Sequence, residues 1–212
     1  VSSALLTFTA ETHEYRLDGR LVPSVTTILR ATGVSVDFNA IRQMGGSRRD
    51  AVDYKRDLGL AVHADSHALD DEDLDWPDVH PEVEPYLRAW ALLKAHRGLI
   101  PLTRERKVYH AGLRYCGTLD GIFSTADGKF VLLDMKLGDP ADAGCQYQTA
   151  AYELAYRSEH PDARIDERWG VKLDPSLTIP YRITPYTDWT DMKAFQAFVT
   201  TFYCGQTARS YR

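Results

Sequence analysis

Basic charge, cysteine and long apolar runs are all scarce in this chain. Lys and Arg number 25 against 30 Asp and Glu, a net charge of −5. That excludes a coat of bulk positive charge for nucleic acid and leaves room only for a local basic groove. Cysteine occurs 3 times, at Cys116, Cys145 and Cys204, with no C-x-x-C spacing. Such usage excludes a disulfide framework and argues against a cysteine-held zinc ion or iron–sulfur cluster. Free thiols suit a reducing, cytoplasmic setting. No apolar stretch approaches the ~20 residues of a membrane span, so no membrane partner is expected. The opening VSSALLTFTA has neither a basic start nor a long apolar core, and reads as no secretory signal. Internal repeats and low-complexity tracts are missing as well.

What is present is globular composition: 212 residues, 44% hydrophobic and 26% charged. A chain of this length buries roughly 70% of its unfolded surface and needs no staples. The expectation is one domain over 1–212, with a hairpin and helices in 1–100 and a sheet core in 101–212. EYRLDGRLV at 14–22 reads as a hairpin, since Asp18-Gly19 suits the positive φ angles of a two-residue turn. Ser24 fits the N-cap of a short helix and Gly33 its stop. Helical periodicity covers 47–70 and 82–97, with Pro85 tolerated in the first turn. The runs 101–110, 114–124 and 129–136 read as three strands. Asp139-Pro140 reads as a helix start, with the helix reaching about Ser158. Strands near 166–173 and 179–184 and a helix over 188–204 complete the chain. The order predicts α/β or α+β, a mixed central sheet flanked by helices.

The sharpest chemical signal is YCGTLDGIF followed by KFVLLDMKLG. Asp134 and Lys136 are two apart on a strand and share a face. Charged groups closing so apolar a run are costly unless paired or bound to something. Asp120 ends a similar apolar approach on the neighbouring strand. Two registers are open. A three-residue loop of Ala126, Asp127 and Gly128 sets Asp120 opposite Asp134, with Cβ atoms ~5 Å apart. A two-residue Asp127-Gly128 loop puts the acids on opposite faces. In the first register two close carboxylates call for a divalent cation, and oxygen donors favour Mg²⁺ or Mn²⁺. In a surface hairpin, Asp134 and Lys136 would instead form an ordinary solvated salt bridge. Asp134 itself reads as the acid at an exposed strand edge.

Gly117-Thr118-Leu119-Asp120, then Asp134-Met135-Lys136, then Gln148-x-x-x-Tyr152 resemble the PD-(D/E)XK nuclease superfamily in its RecB-like exonuclease branch. LGLAVH, ending at His63, is similar to that branch's helical histidine motif, and PSVTTIL at 23–29 to the opening motif of related exonucleases. The resemblance runs from about 13 to 156. It implies a restriction-endonuclease-like core with an N-terminal helical wall. It also implies a DNA partner and phosphodiester hydrolysis from the ends of single strands. By resemblance Asp120 and Asp134 hold the metal with His63 and the main-chain carbonyl of Met135, and Lys136 is the catalytic lysine. Glu105 supports the metal site, and Gln148 and Tyr152 lie beside it and help hold the substrate. Leu119 stands where the superfamily's name has proline, and the cysteines of the iron–sulfur members are missing, so no cluster is expected. A sequence- or structure-specific endonuclease on the same fold, or a decayed binding module, are the alternatives.

The remaining candidates have plain readings beside functional ones. His63 and His67 are four apart, a possible zinc pair, but no glutamate completes H-E-x-x-H. Ser24, Thr26 and Thr27 either bind phosphate at a helix N-terminus or simply cap it. Arg42, Arg48, Arg49, Lys55 and Arg56 are the densest basic stretch, a solvated face or a grip on a DNA backbone. Trp90, with Tyr86, is either core or a platform for base stacking.

Overall fold

The structure, a computed structural model, describes residues 5–9, 12, 14–35, 47–140 and 144–210, without the side chains of 47–49 and 207–210. Arg42 lies outside the described residues, as do the side chains of Arg48 and Arg49, so the expected basic grip falls largely outside them.

An antiparallel meander opens the chain: β1 (Leu6–Thr9), β2 (Glu14–Leu17) and β3 (Arg20–Val22). The turn between β2 and β3 is the expected one, with φ of 48° at Asp18 and 80° at Gly19. β1 was not expected. α1 (Val25–Ala31) follows, capped where the Thr27 N–H donates to Ser24 Oγ at 3.1 Å. Then come α2 (Ser47–Asp70), a single 3₁₀ turn at Trp76–Asp78, and α3 (Glu84–Arg97), which ends on left-handed Gly98. The second half supplies β4 (Ile100–His110), β5 (Tyr115–Ser124), β6 (Phe130–Lys136), α4 (Cys145–Glu159), β7 (Glu167–Leu173), β8 (Tyr181–Tyr186) and α5 (Thr190–Ser210).

The fold is mixed α+β. The large sheet runs β4-β5-β6-β7-β8, with β6 and β7 parallel and every other pair antiparallel. α4 is the crossover that parallel pairing requires. Each face of the sheet carries its own apolar core. On one side Leu132 and Ile122 pack with Ile28 of α1, Ala151 and Ala155 of α4 and Phe195 of α5. On the other, Val131, Leu133 and Met135 pack with Val62 of α2 and Leu87, Trp90 and Leu93 of α3. β6 is therefore a central strand with helices over both faces. Among the described residues no helix is long and apolar enough to cross a membrane.

One expected boundary fails. α4 begins at Cys145, not at Asp139-Pro140. The Asp139 carboxylate pairs with Arg182 of β8. The Cys145 N–H still reaches back to the Pro140 carbonyl at 3.2 Å.

Candidate metal centre

The β5–β6 hairpin decides where the acids stand. Its pairs run Ser124–Phe130, Phe123–Val131, Ile122–Leu132 and Gly121–Leu133. The Thr125 N–H donates to the Lys129 carbonyl at 3.0 Å, which leaves Ala126, Asp127 and Gly128 as a three-residue loop. Gly128 takes the left-handed position with φ 78°. One further step of this register sets Asp120 opposite Asp134. Regular pairing ends there, and the Met135 N–H donates to Asp120 Oδ2 at 2.7 Å. The main-chain group of Met135 seen touching the acids is thus its N–H, where the resemblance assigned its carbonyl.

β4 adds a third acid. Arg104 pairs with Gly121 and Arg106 with Leu119, so Glu105 falls opposite Asp120. Its φ is +42°, left-handed in the middle of a strand. A non-glycine residue held there costs about 1–3 kcal/mol, a penalty that persists where the surroundings impose it. Its Oε1 lies 3.9 Å from His63 Nδ1 and 3.6 Å from His67 Nε2 on α2. His63 Nε2 lies 3.8 Å from Asp120 Oδ2. One donor atom each from His63, Glu105 and Asp120 fall within 4.8 Å of one another, a spacing that can hold a metal ion.

Asp134 stands beside this trio. It is fully buried, correcting the exposed edge expected of it, because β6 is covered on both faces and paired on both sides. Its Oδ2 lies 2.6 Å from Lys136 Nζ and accepts from Cys145 Sγ at 3.2 Å. Its Oδ1 is buried with no hydrogen-bond partner among the described residues. An orphaned carboxylate oxygen in a dry site is costly, and a cation would satisfy it.

The charges agree with that reading. Burial, and then the charge of Asp134, push the Asp120 carboxyl above the usual carboxylate range. Burial and then Asp120 do the same to Glu105. Burial pulls the Lys136 ammonium down, but Asp134 and Asp120 outweigh it and raise the net value, so Lys136 stays a cation at neutral pH. The residues present suit an ion with oxygen and imidazole ligands: Asp120, Glu105 and His63, with Asp134 on the next strand at the register position opposite Asp120.

A pH dependence follows. A carboxyl with a raised folded pKa favours its protonated form, so the metal-free fold loses stability as pH rises from the unfolded pKa through the folded one. Metal binding requires the deprotonated ligands. Mn²⁺ is therefore expected to raise the melting temperature more at neutral pH than in mild acid. Equal shifts in scanning fluorimetry at the two pH values would contradict this.

Of the supporting residues, Gln148 Nε2 donates to the Tyr152 hydroxyl at 3.1 Å, both buried on α4. The Tyr152 ring packs on Gly117, where a Cβ would come within 2.6 Å of it. That fixes the spacing of the GTLD and Gln-x-x-x-Tyr motifs against each other. The Tyr152 hydroxyl is pushed well up by burial and then by the Asp134 charge. Ser24, Thr26 and Thr27 form their own cluster: Ser24 Oγ lies 3.0 Å from Thr26 Oγ1 and 2.9 Å from Thr27 Oγ1. Those hydroxyls are engaged in the cap.

Trp90 is not a stacking platform. It is 1% exposed, its ring meets Phe123 edge-on, and its Nε1 donates to Asp70 Oδ1 at 3.0 Å. Asp70 is in turn held by Lys94 and Arg104. Cys145 and Gly170 are site neighbours that the sequence reading passed over. Gly170 had a signal, since a lone glycine inside the strand run ERWGVKL marks a close approach. No protein-family model matches this chain, and no curated protein matches its sequence.

Proposed function

We propose that this protein is a metal-dependent nuclease of the PD-(D/E)XK kind that hydrolyses DNA phosphodiester bonds from the ends of single strands. The observation that carries the reading is the convergence of His63, Glu105 and Asp120 beside the buried Asp134–Lys136 pair. These residues come from α2, β4, β5 and β6, and the same set is what the resemblance assigns. Asp120, Glu105, His63 and Asp134 would hold Mg²⁺ or Mn²⁺. When bound, such an ion supplies an acidified water and a charge that offsets the phosphate. Lys136, kept protonated by its two acidic neighbours, meets the negative charge that develops on the phosphate. Asp134 keeps that ammonium in place. Gln148 and Tyr152 brace the sheet side of the site. α2 and α3 cover one face of the sheet and present His63 from above it, which favours a narrow approach over a surface open to duplex.

Labelled linear and closed circular single strands, with Mg²⁺ or Mn²⁺ present, test this. The linear strand is expected to be degraded and the circle to survive. Cleavage is expected to weaken steeply with added salt, because phosphate contacts release counterions. Rapid nicking of the circle would assign an endonuclease instead, and equal digestion of blunt duplex would remove the narrow approach.

A further inference from the structure

Asp134 lies in a central strand, so β7 and α4 shape its surroundings as much as β6 does. Its ladder partner on β7 is Gly170. A Cβ at Gly170 would fall 2.5 Å from the Tyr186 hydroxyl, 2.8 Å from Pro140 Cβ and 3.1 Å from Cys145 Sγ. The strand has no side chain at that point because three other groups already fill the space. Cys145, the first residue of α4, is fully buried and brings its thiol to Asp134 Oδ2 at 3.2 Å. Lys136 Nζ reaches the same oxygen at 2.6 Å. Two donors thus engage Oδ2, and none among the described residues engages Oδ1.

We infer that Cys145 is a positioning residue for the metal-binding carboxylate of Asp134. Resting on the metal-centre reading above, it divides the two oxygens: Cys145 and Lys136 take Oδ2, so that Oδ1 is the atom left for the cation. A carboxylate with one anchoring donor can swing about its Cβ–Cγ bond. A second donor, arriving from α4 instead of β6, removes that freedom. The thiol, the Tyr186 hydroxyl and Pro140 Cβ crowd together around Gly170, so the thiol sits in a filled space. Groups that orient metal ligands in this way typically carry 10–100-fold, by order of magnitude, in metal affinity.

Calorimetric titration of Mn²⁺ into the wild type, Cys145→Ala, Cys145→Ser and Gly170→Ala separates positioning from packing. Cys145→Ala removes the donor and is expected to weaken Mn²⁺ binding by about 10–100-fold. Cys145→Ser keeps a donor and is expected to stay close to the wild type. Gly170→Ala leaves both Cys145 and Asp134 intact but sets a methyl 3.1 Å from the thiol and closer still to the Tyr186 hydroxyl and Pro140, and is expected to weaken binding by less than Cys145→Ala does. Far-ultraviolet circular dichroism of each variant checks that it is folded. Wild-type affinity in Cys145→Ala overturns the inference. So does equal loss in the serine and alanine variants, which is the signature of packing alone. A wild type that binds no Mn²⁺ overturns the inference together with the metal centre. A wild type that binds Mn²⁺ but leaves DNA intact removes the nuclease reading only, and the affinity comparison still decides the role of Cys145.

Discussion

Asp134→Asn is expected to lower DNA cleavage by about 10³-fold or more, the equivalent of the several kcal/mol that a held divalent ion supplies to the transition state. The asparagine keeps the shape of the side chain and one oxygen, but not the charge that anchors a cation and holds Lys136. The choice of substitution matters. Asp134 is fully buried beside Lys136, so either substitution removes the charge of the pair, but alanine would also leave a void and take away the oxygen that Lys136 and Cys145 donate to. Breaking such a pair costs about 3–5 kcal/mol, and lost activity would then be confounded with unfolding. Asp134→Asn, checked by its thermal melt, separates the two. An Asp134→Asn variant that cuts linear DNA at the wild-type rate would remove Asp134 from the chemistry.

Trp90→Ala is expected to destabilise the fold by about 3–5 kcal/mol, the usual cost of emptying a buried aromatic site. For a domain of this size that is a drop of roughly 6–20 °C in melting temperature. The loss has two parts. The ring packs among Val62, Leu87, Leu93 and Phe123 in the core beneath α2 and α3. Its indole N–H is also one of the groups that satisfy Asp70, whose side chain is 2% exposed. Lys94 and Arg104 remain on that carboxylate, so Trp90→Phe is expected to recover most of the stability. If Trp90→Ala instead melted like the wild type while binding single strands poorly, the residue would be a stacking platform after all.

The parts of the fold that follow from local pattern were legible in the sequence. Alternation in YCGTLDGIF and the apolar run of FVLL define adjacent strands, and Gly128 suits the odd loop that brings Asp120 and Asp134 together. The sequence left a two-residue Asp127-Gly128 loop open as well, and the pairing seen in the structure decides for the three-residue one. Asp134, Asp120 and Lys136 could thus be singled out from the residues themselves. His63 and Glu105 could not, because their arrival depends on how α2 docks and on a left-handed φ at Glu105 that no local residue preference favours. Their place beside the two aspartates was reached only through the resemblance.

The misses have physical causes of the same kind. β1 is only four residues long, and although Leu6-Thr7-Phe8-Thr9 alternates apolar and polar, so short a run is a strand through its pairing with β2. Asp139-Pro140 has the composition of a helix start, but α4 begins five residues past Pro140, after the left-handed Gly144. Two signals were in the sequence and outweighed. Val83, Leu87, Trp90 and Leu93 recur at helical spacing and form one buried stripe, which assigns Trp90 to the core. FVLLDMK is apolar on both sides of the acid, the pattern of a parallel strand buried on both faces, and it places Asp134 inside.

The central claim is that this cluster of acids and histidine makes DNA hydrolysis depend on a divalent ion. Cleavage of end-labelled linear single-stranded DNA, followed first in EDTA and then after Mn²⁺ is supplied in excess, tests it most directly. The account predicts no product in EDTA, rapid release of nucleotides once Mn²⁺ is added, and none in either condition from Asp134→Asn. Cleavage by the wild type in EDTA, or an intact strand after Mn²⁺ and Mg²⁺ have each been supplied, would contradict it.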